Sequence, residues 1–314
     1  MRLKQKAEEI LIEWKLRRPE APPAAAPITE IRLREAYAPA TLPNRIYHAL
    51  ELNAEYILIP GGKYKYSVTK KETAVPPLYF AKYPVTNKLY RRFTDYLAGK
   101  KSMEEAAAIL LVGKFGQSLL ERAKSIKGFV TYLGSHEPIQ WANILRSIYD
   151  DDKRFNGDDQ PVVGVTWFAA QAYCQWLDEQ QKAKDKEQKA NLVFRLPNEE
   201  EWEWAASGGK REYPWGKEEP DETRANYGDK VGQTTPVGAY PAGTTPEGLM
   251  DMAGTVWEWM ENLYSAGAYR DDSRALRGGA YSTVADGLRG SERRWLNPGS
   301  RYHYYGFRVC AGTS

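Results

Sequence analysis

The feature that most constrains the fold is a framed segment near the C-terminus. Leu276-Arg277-Gly278-Gly279-Ala280-Tyr281 opens it, and Tyr305-Gly306-Phe307-Arg308-Val309-Cys310 closes it. Between these ends, Ser282 to Tyr304 mixes Ser, Thr, Gly, Arg, Trp, Tyr and His with no helical or strand period. A chain built around such a stretch needs long ordered loops pinned by a few strands. The stretch is poor core material and good contact material, because aromatics and Arg supply contact energy and small polar residues supply adaptable hydrogen bonds. The alternative is an ordinary C-terminal hairpin with a solvated loop.

The 314 residues suffice for one large domain or two ordinary ones. With 10 Trp and 21 Tyr, the core is expected to rest on aromatic anchors rather than on Leu-rich helices. A net charge of +3 gives no electrostatic case for binding nucleic acid. Cys174 and Cys310 read as two reduced, buried thiols, with one long-range disulfide as the alternative. The charged N-terminus lacks the apolar core of a secretory signal, and no stretch approaches the roughly 20 apolar residues that span a bilayer. The expectation is therefore a soluble, cytoplasmic protein.

Residues 1–53 read as an N-terminal arm. Ile10, Leu11, Ile12, Trp14 and Leu16 suggest a short amphipathic helix over Lys4 to Arg18. Pro22 to Pro27 is a stiff linker, and a second helical piece is expected over Leu42 to Leu52. The arm cannot bury a core alone, so it is expected to dock on the main body, a second copy or a partner.

Residues 54–314 form the main domain. Two strands flank Pro60-Gly61-Gly62, and Pro77 to Thr86 reads as another. Thr86 or Asn87 caps a helix holding Leu89, Tyr90, Phe93 and Tyr96. Residues 100–160 look like an insertion, helical over Met103 to Ile126. Asp150-Asp151-Asp152 in it reads as a solvated helix end, with a cation site as the alternative. Pro161 to Trp167 reads as a strand. Thr166 caps a helix over Phe168 to Gln181 with a buried stripe of Ala169, Ala172, Tyr173, Trp176 and Leu177. Asn198 and Glu201 make a capping box, and Gly208-Gly209 ends that helix.

Nine collinear motifs carry a resemblance. They include Pro84-Val85-Thr86-Asn87, Arg195-Leu196-Pro197-Asn198-Glu199-Glu200-Glu201-Trp202, Asp251-Met252-Ala253-Gly254-Thr255-Val256-Trp257-Glu258-Trp259, Arg277-Gly278-Gly279 and Gly306-Phe307-Arg308. From about Ala54 to the C-terminus the chain resembles the formylglycine-generating-enzyme (sulfatase-modifying factor) domain. The resemblance implies an α+β, C-type-lectin-like fold of small antiparallel sheets, two main helices and long ordered loops. Catalytic members bind copper through two cysteines shortly after Arg-Gly-Gly. The matching positions here are Thr283 and Leu288, so no copper is expected. A related branch uses an iron site built from several histidines. His48, His136 and His303 have no such spacing. The resemblance also implies structural calcium. One site would use Asp251, Glu258 and the carbonyls of Gly254 and Val256; a second would use Asn226, Asp229 and the carbonyls of Tyr227 and Val231. Capped turns are the alternative for both.

Within the family, the C-terminal frame is most similar to the variable proteins of diversity-generating retroelements, whose rewritten segment forms a ligand-binding face. Arg277-Gly278-Gly279, Arg293, Asn297-Pro298, Arg301 and Gly306-Phe307-Arg308 stand as framework over 277–310. Tyr281, Ser282, Thr283, Val284, Gly287, Leu288, Arg294, Leu296, Ser300, Tyr302, His303 and Tyr304 are all reachable from an Asn codon by changing its adenines; Trp295 is not. These thirteen residues are the expected ligand contacts, and a protein is the expected ligand. Tyr302 to Tyr304 are expected to be exposed, and Tyr305 and Phe307 to pack inward. The resulting reading is a binding protein without catalysis. An enzyme of the same fold using other chemistry, or a structural or regulatory module, is the alternative.

Overall fold

The computed structural model describes residues 42–98, 145–184, 192–264 and 273–313. The helices expected over Lys4 to Arg18 and Met103 to Ile126, the Pro-rich linker and His136 lie outside these residues. The described chain is α+β: three small sheets, three α-helices and much ordered loop.

The largest sheet has the order β1(Arg45–His48), β2(Ala54–Ile59), β5(Leu78–Ala81), β11(Cys310–Thr313), β6(Leu192–Arg195), and every pairing given for it is antiparallel. The C-terminal strand thus lies inside the sheet, between β5 and β6. This corrects one expectation. Residues within Leu42 to Leu52 were expected to be helical, but they form strand β1 and a single 3-10 turn, Ala49–Glu51. The pairing of Arg45 to His48 with Ala54 to Ile57 outweighs local propensity. A second sheet has the order β10(Tyr305–Gly306), β7(Trp257–Leu263), β8(Arg274–Arg277), β9(Arg293–Leu296), with β10 parallel to β7. The hairpin of β3(Gly62–Lys65) and β4(Glu72–Val75) completes the set.

The helices start where their caps predict. In α1(Asn87–Ala98), Thr86 Oγ1 accepts from Leu89 N–H. In α2(Trp167–Lys184), Thr166 Oγ1 accepts from Ala169 N–H at 3.0 Å. In α3(Glu199–Ser207), Asn198 and Glu201 form the reciprocal capping box, and Gly208 ends the helix in the left-handed region. Pro161 to Trp167 is a correction: only Pro161 bridges, to Thr86, and no strand forms.

Tyr90, Phe93, Tyr173, Trp176 and Phe307 form an aromatic cluster of edge-to-face, tilted and stacked contacts joining α1 and α2 to the closing frame. The expected α2 stripe, Ala169 to Leu177, is buried there. A second cluster holds Ile57, Ile59, Phe80, Trp202, Met252, Met260 and Cys310 around α3. Among the described residues, no helix is long and apolar enough to cross a membrane.

Candidate functional site

Both ends of the frame are locked by buried arginines. Arg277 reaches Glu199 at 3.0 Å and Glu203 at 3.1 Å on α3, and donates to the hydroxyl of Tyr66. Arg293 closes on the other oxygen of Glu199 at 2.5 Å. Arg308 grips Glu258 through Nε (3.1 Å) and Nη2 (2.8 Å), and Trp202 Nε1 donates to Glu258 Oε2 at 2.7 Å. Buried charges paired and hydrogen-bonded in this way fix geometry more than they add stability. Gly279 sits at φ +77°, and a Cβ there would lie 2.7 Å from Leu288 and 2.9 Å from the Gly287 carbonyl. The loop after Arg-Gly-Gly therefore turns back under itself only with glycine at this position.

The loop 280–292 is held by its neighbours' backbone. Gly228 N–H donates to Thr283 O (2.8 Å), Asp229 N–H to Tyr281 O (2.7 Å), and Gly290 N–H to Glu212 O (2.9 Å). The turn 302–304 is held likewise: Gly164 N–H donates to Tyr302 O (3.0 Å) and Trp257 N–H to Tyr304 O (2.9 Å).

Not all expected contacts reach the surface. Tyr281 and Leu288 are corrections, at 3% and 1% exposed. Tyr281 packs with Phe155, Val163 and Val256, and Leu288 with Tyr213, Ala225 and Ala253. Ser282, Val284, Arg294 and Tyr302 are exposed, with Val284 at 69% and Tyr302 at 43%. Thr283, Gly287, Trp295, Leu296, Ser300, His303 and Tyr304 are half-buried. Of the three residues expected to be exposed together, only Tyr302 is. They lie on a turn rather than a strand, so two rings tuck inward. Tyr305 and Phe307 are buried as expected.

Around the 302–304 turn the structure gathers an aromatic face. Tyr302 stacks on Tyr304, with centroids 5.7 Å apart and planes 16° from parallel. The hydroxyl of Tyr281 bonds Nδ1 of His303. Burial and the nearby Arg154 guanidinium lower the His303 pKa, which favours the neutral ring. Arg294 lies over the ring of Trp257 at 5.2 Å, with the Tyr305 hydroxyl close by.

One wall of this face comes from residues that sequence reasoning assigned to the insertion. Phe155 stacks on His303 at 5.3 Å, and Tyr149 meets it edge-on at 5.7 Å. α1 positions both. Asn87 Nδ2 donates to Phe155 O at 2.8 Å, while Arg91 binds Asp150 (2.9 Å) and the Asn156 carbonyl (2.7 Å). Asp150 to Asp152 are thus engaged by or sit beside arginines; Asp152 pairs with Arg154. Tyr149 and Phe155 bracket that acidic run, and aromatics at both ends of a polar turn were the signal available in the sequence.

The calcium donors fit unevenly. Both Glu258 oxygens are taken by Arg308 and Trp202, Asp251 accepts from Gly238 N–H at 2.7 Å, and the Gly254 carbonyl accepts from Val256 N–H. Burial pushes the Asp251 carboxyl up to about 6. That loop is closed by its own bonds and does not fit a cation. Asn226 is different. Its Nδ2 donates to Gln233 O, which fixes the amide, and Oδ1 is buried with no hydrogen-bond partner. It fits the role of an oxygen donor; Asp229, three residues on, is exposed. Among the described residues, no group of three or more His, Cys, Asp or Glu converges on one point.

Cys174 and Cys310 are free and buried, and burial pushes both thiols well above their ordinary range. Neither lies near Thr283 in sequence or on its loop.

Residues 46–312 match the family described as "Sulfatase-modifying factor enzyme 1-like domain". The chain is 30% identical over 261 residues to the inactive C-alpha-formylglycine-generating enzyme 2 of Mus musculus, covering 78% of each chain. It is 37% identical over 171 residues to the hercynine oxygenase of Mycobacterium tuberculosis, covering 48% of this chain and only 37% of that relative's length. The solved structure of Treponema denticola variable protein 1 shares the fold, with a TM-score of 0.57, 20% identity, and 86% of this chain and 99% of that one covered.

Proposed function

This chain belongs to the sulfatase-modifying factor enzyme 1-like domain family, and from that premise we propose that it is a binding protein rather than a catalyst. Its ligand face is the exposed part of 282–304, supported from beneath by Tyr149 and Phe155. In this reading it works as a diversity-generating retroelement variable protein does, holding changeable side chains on a rigid frame. The observation that carries the proposal is the fate of the two positions at which the family's copper chemistry needs thiolates. Thr283 spends its hydroxyl on Ala280 N–H at 2.9 Å, and Leu288 is sealed in an apolar cluster. The fold of the variable protein and the word "inactive" in the mouse relative's name support the same reading. Any structural calcium is assigned to the Asn226 loop.

The hercynine oxygenase match favours a second reading, an oxidoreductase of the same fold. An oxidation assay with a cysteine-containing peptide, oxygen and copper separates the two, with Cys174→Ser and Cys310→Ser as controls. No turnover is expected from any of the three proteins. Turnover that disappears on either substitution would overturn the binding reading.

A further inference from the structure

Arg294 differs from its neighbours. Among the described residues, arginines of this domain are typically closed by carboxylates. Arg91 holds Asp150 and Asp158, Arg211 holds Glu247, Arg289 holds Glu212 and Asp286, and Arg277 and Arg293 share Glu199. Even Arg154, on the rim of the aromatic face, holds Asp152 at 2.7 Å. Arg294 is exposed, and no carboxylate pairs with it among the described residues. It is oriented all the same: the Trp257 ring lies 5.2 Å beneath it and the Tyr305 hydroxyl lies close by. A guanidinium held in place but not neutralised is a preformed site for a carboxylate, which its planar fork can bind through two bonds.

An apolar shelf continues from this anchor. Tyr305 touches Tyr304 and Tyr302, with centroids 4.6 and 5.6 Å away. Ile148, 52% exposed, joins the same face, because Ile148 N–H donates to Gly164 O and Gly164 N–H to Tyr302 O. One unneutralised cation beside exposed Tyr302 and Ile148 is complementary to a carboxylate that has an apolar neighbour.

We propose that this face takes an acidic segment of a protein partner, an Asp or Glu carboxylate docking on Arg294 while a neighbouring apolar side chain lies on Tyr302 and Ile148. The proposal rests on the ligand-binding reading above and adds the chemistry of the partner. It does not depend on which protein supplies the segment.

A displayed library of random peptides, selected on the full chain, tests it. Peptides selected on the wild type are expected to be enriched in Asp and Glu. Their affinity should fall roughly tenfold with Arg294→Gln and further with Arg294→Glu. Selection repeated on Arg294→Glu should enrich Lys and Arg instead. Thermal unfolding checks that each variant folds, which the exposure of Arg294 favours. Peptides that lose affinity with Tyr302→Ser yet bind Arg294→Gln as tightly as the wild type would overturn the acidic-partner inference and leave the binding face standing. If no selected peptide responds to Tyr302→Ser, the ligand-binding reading falls and this inference with it. A single-stranded oligonucleotide that displaces the peptides through Arg294 would overturn the choice of a protein partner.

Discussion

The ring of Phe155 lies over the imidazole of His303, centroids 5.3 Å apart and planes 23° from parallel. This contact joins the descending end of the insertion to the C-terminal turn, so the candidate face has two parents in the sequence. Tyr281 closes the stack from the third side through its bond to Nδ1. His303 therefore serves as a pillar beneath the surface, and Tyr302 is the residue that meets the outside.

Phe155→Ala removes the ring that supports the turn. Phe155 is buried, so its truncation is expected to cost about 3–5 kcal/mol. Urea unfolding measures that loss. The same variant, where still folded, should bind face-directed peptides more weakly although Phe155 touches no ligand.

Stability should depend on pH through Glu51. Its carboxylate is buried and accepts from the hydroxyls of Tyr56 and Tyr173, with His48 Nδ1 3.4 Å away. Burial pushes its pKa up from 4.5 to about 7. The native state then holds the proton more tightly than the unfolded chain. The contribution is complete below pH 4.5 and is lost as pH rises through about 7, a fall on the order of 3 kcal/mol. Asp251, pushed up to about 6, adds a loss of the same sign. Denaturation midpoints from pH 5 to 8 should decline in the wild type. Glu51→Gln should flatten the part between about pH 5 and 7.

The calcium expectation divides into two measurable claims. Glu258→Gln breaks the buried pair with Arg308 and is expected to cost about 3–5 kcal/mol with or without calcium. Chelation by EDTA should lower the thermal midpoint of the wild type but leave Asn226→Ala unchanged. Calorimetry of both proteins, with calcium added and removed, reads the difference.

Much of this was legible in the sequence because it is local. Asn198 with Glu201, Thr166 before an aromatic stripe, and the Gly208 stop each lie within a few residues of what they control, and each helix forms there. The family resemblance supplied the fold where periodicity was silent. What stayed hidden is long-range. Arg45 to His48 become a strand only because Ala54 to Ile57 pair with them. Glu258 reads as a metal ligand until Arg308, fifty positions later, takes its oxygens. Leu288 reads as a surface residue until Gly279 folds the loop beneath it. Tyr149 and Phe155 could not be joined to His303 from spacing at all, since α1 brings them together through Asn87 and Arg91.

The central claim is that the exposed side chains of 282–304 serve binding and contribute little to folding. The double variant Tyr302→Ser, Val284→Ser tests it, with the thermal midpoint and peptide affinity measured on the same protein. Both residues are exposed, so the midpoint should move by no more than about 2 °C, while affinity for wild-type-selected peptides drops at least roughly tenfold. A midpoint that collapses, or an affinity that does not change, would contradict the account.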